Sequence, residues 1–159
     1  MRVARLTPVE GERLRALRLA SLRDAPHAFA STHEEAAARP PESWRQQLVE
    51  LATFVAVADG VDVGLVRAGP FTEDAGAAML LSMWVAPQAR GAGVGDALID
   101  AVVDWARDEG FARVVLDVGD ENASAQRLYA RHGFAPTGER SRLPPPREHV
   151  HEHRRARTL

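Results

Sequence analysis

A glycine-rich run follows an apolar segment that ends at Val85. The run consists of Arg90, Gly91, Ala92, Gly93, Val94 and Gly95, and a helical pattern of apolar residues begins directly behind it. Backbone N–H groups in such a turn are unhindered by side chains and point outward at a helix N-terminus, which suits an anionic phosphate. Glycine allows the ligand to come close, and Arg90 adds a fixed positive charge. The run therefore predicts a phosphate-binding turn.

This run has four possible interpretations, which are three phosphate-binding motifs and a tight turn that holds no ligand. A P-loop requires Lys and then Ser or Thr after its last glycine, but Asp96 follows Gly95 and the chain contains no Lys. A dinucleotide fingerprint requires glycine at position 96 and belongs to the first strand–helix unit of a chain. The third motif, Gln/Arg-x-x-Gly-x-Gly/Ala, matches residues 90–95 at every specified position.

A second motif begins at Asn122, carries a Leu-Tyr pair that ends at Tyr129, and closes with Gly133 and Phe134. Together with the glycine-rich run, it resembles the GNAT acetyltransferases, in which the third motif is the pyrophosphate loop. The order of elements is similar along essentially the whole chain, and the stretch from Met79 to Phe134 carries the specific likeness. The resemblance implies a mixed sheet whose fourth and fifth strands splay apart, with acetyl-CoA held between them.

The resemblance also assigns the cofactor-binding residues by position. It implies that backbone groups of Met83 and Val85 bind the pantetheine amides, that residues 90–95 hold the pyrophosphate, and that Asn122 contacts the pantetheine arm. A core strand is the structural alternative for Met83 and Val85. A helix N-cap is the alternative for Asn122, and that role is compatible with ligand contact.

Tyr129 is the only tyrosine of the chain, and it lies where the family places its general acid. A phenol has a pKa of about 10 and is protonated at neutral pH, so it can donate a proton to a departing thiolate. The alternative is a tyrosine packed in the core.

The resemblance places a candidate general base, Asp117, on the fifth strand, where some members that acetylate N-terminal amines carry Glu. Asp is one methylene shorter, so we expect it to act through a bridging water. The alternative is a carboxylate that makes structural hydrogen bonds. The fourth strand offers Ser82 but no carboxylate.

These residues favour an N-acetyltransferase in which a primary amine attacks acetyl-CoA directly in a ternary complex. The chain has no Cys and no evident Ser-His-Asp arrangement, so no covalent acetyl-enzyme is expected. The alternative function is a sensor that binds an acyl-CoA and does no chemistry. In the family, acceptor choice depends on segments that correspond here to residues 24–41 and 138–148. Small metabolites, antibiotics, peptide N-termini and protein lysines all remain open as acceptors.

His149, His151 and His153 alternate within residues 148–157, a segment predicted to be the last strand. Alternation would place the three imidazoles on one face of a strand, and imidazole is a good ligand for transition metals. No carboxylate partner is evident, so no metal is expected. We instead expect a wall of the acceptor pocket or a strand that faces a second copy in a homodimer.

The elements that must position these residues follow from periodicity and turn signals. Thr7, Pro8 and Glu10 predict a helix start, and Asp59-Gly60 predicts a hairpin between two apolar strands. An antiparallel hairpin followed by strand–helix–strand–helix indicates one α/β domain over residues 1–159. With the resemblance, we expect the GNAT fold, a mixed and mostly antiparallel sheet of six to seven strands with about four helices.

Composition narrows the function further. The chain has 159 residues, 45% of them hydrophobic, and a net charge of −2, which argues against a general nucleic-acid binder. No apolar run approaches the length of a membrane span, and the N-terminus lacks a signal core. The absence of Cys means that nothing requires an oxidising compartment. A cytoplasmic location, with no membrane or nucleic-acid partner, is expected.

Overall fold

The computed structural model describes residues 1–159 and contains one seven-stranded sheet with five α-helices. The strands are β1 Arg2–Arg5, β2 Ala52–Ala58, β3 Val61–Pro70, β4 Ala77–Val85, β5 Arg113–Gly119, β6 Ala135–Arg142 and β7 His151–Thr158. The helices are α1 Gly11–Asp24, α2 His33–Ala37, α3 Pro41–Glu50, α4 Val94–Asp108 and α5 Ala123–Arg131. No helix combines the length and apolar character that a membrane crossing requires.

The strands follow the order β1-β2-β3-β4-β5-β7-β6, and only the β4–β5 pair is parallel. The predicted fold, a mixed and mostly antiparallel sheet, is confirmed. The turn between β2 and β3 has φ angles of 50° at Asp59 and 76° at Gly60, as a two-residue hairpin requires. At the N-terminus the backbone N–H of Thr7 donates to the Glu10 carboxylate at 2.7 Å, and a short 3₁₀ turn precedes α1.

The helices cover both faces of the sheet, as the side chains of β3 show. A Cβ at Gly64 would meet Val94 and Leu98 of α4, whereas Arg67 donates to Gln47 of α3. Residues three apart on a strand point to opposite faces, so α4 and α3 lie on opposite sides. The hydrophobic core therefore has two layers, one between α4 and the sheet and one between α3 and the sheet, and both include β3.

Gly64 lets the first turn of α4 approach the sheet closely. A Cβ at this position would lie 2.9 Å from Val94 Cγ1, 3.0 Å from Leu98 Cδ1 and 3.2 Å from the Trp84 carbonyl oxygen. We expect Gly64→Ala to lower the free energy of unfolding by about 1–3 kcal/mol through overpacking, as measured by urea denaturation. Gly76→Ala is the matched control, because its Cβ would meet no atom closer than 3.5 Å. Equal stability of the two variants would contradict this packing.

Candidate active site

β4 and β5 separate along their length. They pair only from Ala77 to Met79 on β4, opposite Arg113 to Val115 on β5. Beyond this point β4 remains bonded to β3, so the backbone groups on its other edge have no strand partner. A bulge at Ser82, where φ is 59°, bends β4 further. The result is a wedge between two parallel strands.

A cavity of about 90 Å³ lies in this wedge. Four of the residues singled out from the sequence line it together: Met83, Asp117, Asn122 and Tyr129. Its other lining residues come from β4, from β5, from α5 and from the segment between α1 and α2, the last contributing Ala28 and Phe29. The predicted splay thus brings the candidate catalytic residues to one place.

A second, larger cavity of about 600 Å³ adjoins the first and shares Ala28, Gly119 and Asn122 with it. It lies between the segment after α1, the loop after β5 and the start of β7. Part of the 24–41 segment predicted for acceptor choice therefore borders the site. The 138–148 segment is attached to it through Arg147, which donates to the Pro26 and Ala30 carbonyl oxygens at 2.8 and 2.7 Å.

The glycine-rich turn presents free backbone donors at the start of α4. Gly93 is the N-cap, with φ at 82°, and the first intrahelical bond runs from the Ala97 N–H to the Gly93 carbonyl at 3.1 Å. The N–H groups of Val94, Gly95 and Asp96 precede this bond, so they have no partner within the helix. Glycine offers no side chain that could cap them. Such a cluster suits a phosphate group.

Two carboxylates near this turn, Asp96 and Asp24, are paired with basic side chains. Asp96 is bonded by His132 at 2.7 Å and by Arg131 at 2.9 Å, and the bond from His132, more than any other contact, lowers the pKa of Asp96. This pairing neutralises a carboxylate that would otherwise repel phosphate. Arg90 contacts Asp24 at 2.5 Å and donates from Nε to the Val85 carbonyl oxygen at 3.0 Å. The charge expected to be free at Arg90 is therefore shared with Asp24.

Asn122 combines the two roles considered for it. Its Oδ1 accepts from the Ala125 backbone N–H at 3.3 Å and caps α5, while the residue lines both cavities. The side-chain N–H₂ group remains as a donor for a ligand. Of the two β4 residues, Met83 lines the wedge, whereas Val85 already accepts from Arg90 through its carbonyl.

Tyr129 is buried, with 6% of its surface exposed, and lines the wedge. Its ring contacts Phe134 edge to face at a centroid distance of 6.0 Å. Burial raises the pKa of Tyr129 well above the usual value of 10. The phenol thus keeps its proton at higher pH than the sequence alone implies.

Asp117 also lines the wedge, but both of its oxygens are engaged. Arg154 donates to them at 3.0 and 3.2 Å, and Arg154 also contacts Glu73, Glu139 and the ring of Phe71. One guanidinium therefore holds both oxygens as a bidentate pair, and neither oxygen is free for direct contact with a substrate. Asp117 therefore makes the structural hydrogen bonds that were considered as the alternative to a catalytic role.

Glu152 is a carboxylate that no sequence motif singled out. It lies on β7 opposite Gly119 of β5, and Gly119 lines both cavities. Because glycine has no side chain, no side chain stands directly across the strand pair from that of Glu152. Burial and the nearby charges of Asp117 and Asp120 raise the pKa of Glu152 to about 6. The only sequence signal was alternation, which places Glu152 on the opposite face from His151 and His153.

The three alternating histidines do not form one surface. The last strand begins at His151, not at residue 148, so His149 lies in the preceding loop, where its ring contacts His27 at 5.7 Å. His153 bonds Asp120 at 2.9 Å, while His149 and His151 line the larger cavity. No group of three or more His, Asp or Glu side chains is arranged to hold a metal ion.

The splayed sheet and the free amides of α4 define an α/β protein that can hold an anionic ligand at the open end of a parallel strand pair. A model of the Acetyltransferase (GNAT) family matches residues 16–134. The chain therefore belongs to the GNAT acetyltransferase family.

Curated relatives share sequence with this chain over part of their length. N-acetyltransferase family 8 member 2 of Rattus norvegicus is 39% identical over 88 residues, covering 54% of this chain and 39% of that protein. Mycothiol acetyltransferase of Beutenbergia cavernae is 39% identical over 79 residues, covering 40% of this chain and 27% of that one. The chain spans about two fifths or less of these curated relatives.

Solved structures share the fold along the whole chain. A ribosomal-protein-alanine N-acetyltransferase from Brucella melitensis superposes with a TM-score of 0.82 at 20% identity, covering 100% of both chains. A GCN5-related N-acetyltransferase from Kribbella flavida gives 0.76 at 25% identity, covering 99% of this chain and 97% of that one. A putative acetyltransferase from Salmonella typhimurium, solved with its cofactor acetyl-CoA, gives 0.77 at 19% identity, covering 100% and 94%.

Proposed function

We propose that this chain is an acetyl-CoA-dependent N-acetyltransferase that transfers the acetyl group directly to a primary amine. The observation that carries the proposal is the wedge between β4 and β5, which opens beyond Met79 and is lined by Tyr129. Membership of the GNAT family and the likeness to a structure holding acetyl-CoA support it. The chain as described, residues 1–159, is proposed to act as one domain.

The cofactor is proposed to lie with its pyrophosphate on the turn Arg90–Gly95 and its pantetheine arm in the wedge. The free edge of β4 at Met83 offers backbone groups to the pantetheine amides, and the Asn122 amide offers a further donor. The acetyl thioester would then lie beside Tyr129. Arg131 and His132, which both bond Asp96, border the same turn.

The reaction needs two proton movements. The amine nitrogen attacks the thioester carbonyl, a base takes a proton from that nitrogen, and the carbon–sulfur bond breaks as Tyr129 protonates the departing thiolate. The products are the N-acetylated amine and free coenzyme A. Because burial keeps Tyr129 protonated, it can serve as the acid throughout the neutral range.

For the general base, the contacts in the structure favour a different residue from the one predicted from the sequence. Asp117 remains a candidate through water, but it is bound on both oxygens by Arg154. Glu152 lies two residue pairs further along the same β5–β7 ladder, and burial together with neighbouring negative charge raises its pKa to about 6. A base with a pKa near the working pH transfers protons most effectively, so we assign this role to Glu152.

The pH profile separates the two carboxylates. Since the base must lose its proton, kcat/KM is expected to rise with pH through a midpoint of about 6. Glu152→Gln should abolish this acid limb and lower kcat/KM roughly 100-fold at neutral pH. Asp117→Asn should move the midpoint to lower pH, because it removes a negative charge that raises the pKa of Glu152.

Glu50→Gln, an exposed change on α3, serves as the control and should leave the profile unchanged. An acid limb that survives Glu152→Gln but disappears in Asp117→Asn would return the role to Asp117. Cytoplasmic location and a homodimer stay predictions.

A further inference from the structure

Ser82 is the only residue within a strand that has a positive φ and is not glycine. Its φ is 59°, at the bulge of β4, and it lines the wedge cavity. The other non-glycine residue with a positive φ, Asp59, lies in the hairpin turn between β2 and β3. Residues in this conformation persist only where the surrounding structure holds them, and they cluster at functional sites. Ser82 is therefore held in an unfavourable conformation at the point where the wedge opens.

A buried arginine holds the Ser82 side chain. Arg67 on β3 is 8% exposed, and it donates from Nε and Nη2 to Ser82 Oγ at 3.0 and 2.9 Å. Its Nη1 donates to Gln47 Oε1 at 2.7 Å, and none of these partners is a carboxylate. Burial, with the charges of Arg18 and Arg39, lowers the pKa of Arg67 to about 9, so the guanidinium is cationic at neutral pH. A positive charge therefore lies against the Ser82 hydroxyl.

The bonds from Arg67 leave the proton of the Ser82 hydroxyl without a partner. A serine hydroxyl can accept two hydrogen bonds and donate one. Both acceptor positions of Ser82 are occupied by Arg67, and its O–H has no acceptor within the protein. The proton is therefore available to a group inside the cavity that Ser82 lines.

Ser21 on α1 is a second serine bonded by a buried arginine, and its hydrogen bonding is different. Ser21 Oγ accepts from Arg18 Nη1 at 3.3 Å, and both residues are buried. The Ser21 O–H donates to the Arg18 carbonyl oxygen at 2.8 Å, so this hydroxyl is satisfied within the protein. Ser21 also lines neither cavity of the site. Only Ser82 combines a free donor with a place in the wedge.

We propose that Ser82 is a catalytic residue whose hydroxyl donates a hydrogen bond to the carbonyl oxygen of the acetyl thioester. Arg67 is the positioning residue that orients this hydroxyl and polarises it. The inference rests on the proposed transferase function, in which the thioester lies in the wedge beside Tyr129. It supplies a donor for the oxygen, whereas Tyr129 serves the sulfur.

The donor acts on the charge that develops during attack. As the amine nitrogen bonds to the carbonyl carbon, the electron pair of the carbon–oxygen double bond moves to the oxygen. The Ser82 donor and the Arg67 charge behind it stabilise this oxyanion in a site with little water. The double bond then re-forms as the carbon–sulfur bond breaks and Tyr129 protonates the thiolate. Ser82 keeps its proton throughout.

Removal of the hydroxyl should slow the chemical step without weakening cofactor binding. Ser82→Ala and Ser82→Gly are each expected to lower kcat roughly 100-fold, the usual cost of one oxyanion donor, with acetyl-CoA affinity within about twofold of the wild type. The assay is thiol release with the primary amine that the wild type turns over fastest among amino acids, peptides and small amines. Glycine suits a φ of 59° and alanine does not, so an equal loss in both variants excludes backbone strain as its cause.

Ser21→Ala is the matched control, because it also removes a buried serine hydroxyl bonded by an arginine, and its kcat should equal that of the wild type. Arg67→Met keeps the Ser82 hydroxyl but removes the charge behind it, so kcat should fall roughly tenfold with the KM for acetyl-CoA unchanged. This variant should fold, because methionine replaces a buried charge that has no counter-ion. A wild-type kcat in Ser82→Gly would overturn the role of Ser82, and a wild-type kcat in Arg67→Met would overturn that of Arg67.

An infrared measurement separates this inference from the transferase proposal, because it needs only bound acetyl-CoA. A hydrogen bond to the thioester oxygen weakens the carbonyl bond, so the band of acetyl-CoA labelled with a heavy carbon at the acetyl carbonyl should shift to lower wavenumber on binding. The shift should be full in the wild type and Ser21→Ala, smaller in Arg67→Met and smallest in Ser82→Gly. An equal shift in the wild type and Ser82→Gly would overturn the proposed contact. If no amine is acetylated, the transferase proposal fails, and the band shift alone decides whether Ser82 bonds the thioester.

Discussion

Replacing Tyr129 by Phe is expected to lower kcat for acetyl transfer roughly 100-fold, within the range for a lost general acid. The ring, its burial and its contact with Phe134 remain in this variant, so only the hydroxyl is removed. The thiolate must then leave without a proton donor. Acetyl-CoA affinity, measured by calorimetry, should stay within about twofold of the wild type.

Thr53→Val is the matched control, because it also removes one buried hydroxyl, on β2 and outside the residues that line the wedge. Its kcat should equal that of the wild type. Because burial raises the pKa of Tyr129 above 10, no loss of activity from phenol ionisation is expected below that pH. A Tyr129→Phe variant that turns over a verified acceptor at the wild-type rate would remove Tyr129 from the mechanism.

Gly93→Val is expected to weaken acetyl-CoA binding at least tenfold, which corresponds to about 1.4 kcal/mol. Gly93 has φ at 82° and its Cβ would meet no protein atom within 4 Å, so a side chain would project into open space at the phosphate turn. It would occupy the place of the pyrophosphate and move the free N–H groups of α4 out of reach.

Gly110→Val is the control for this prediction. Gly110 follows the other end of α4, has φ at 84° and also has no atom within 4 Å of its added Cβ, so the backbone strain is matched. Its acetyl-CoA affinity should be unchanged. A third variant, Gly93→Asn, tolerates the left-handed conformation and tests the side chain alone. Unchanged affinity in both Gly93 variants would show that the pyrophosphate lies elsewhere.

Local chemistry made much of the fold predictable from the sequence. The Asp59-Gly60 turn, the Glu10 carboxylate at the first helix and the Asn122 cap each depend on residues within a few positions of one another. The glycine-rich turn was recognisable for the same reason, since both the conformation and the ligand contacts are properties of the backbone. Such features need no knowledge of distant contacts.

The carboxylates and arginines of the site depend on pairings between distant strands. Asp117 is bound by Arg154 and Glu152 lies opposite Gly119 only because β7 inserts between β5 and β6. A sequence does not reveal that register. The resemblance to the family therefore predicted Asp117, and not Glu152, as the general base. Arg18 sits in a helix where most arginines are solvated, and its burial follows from the packing of Phe29 against α1.

This protein is proposed to transfer acetyl groups from acetyl-CoA to an amine. The most direct measurement is thiol release from acetyl-CoA over a panel of amines, amino acids and peptides, with mass spectrometry of each product. We expect acceptor-dependent release, one acetyl group on the amine nitrogen of the product, and release that is roughly 100-fold slower in Tyr129→Phe. Tight binding of acetyl-CoA without acceleration by any acceptor would contradict it and would identify the chain as an acyl-CoA-binding module.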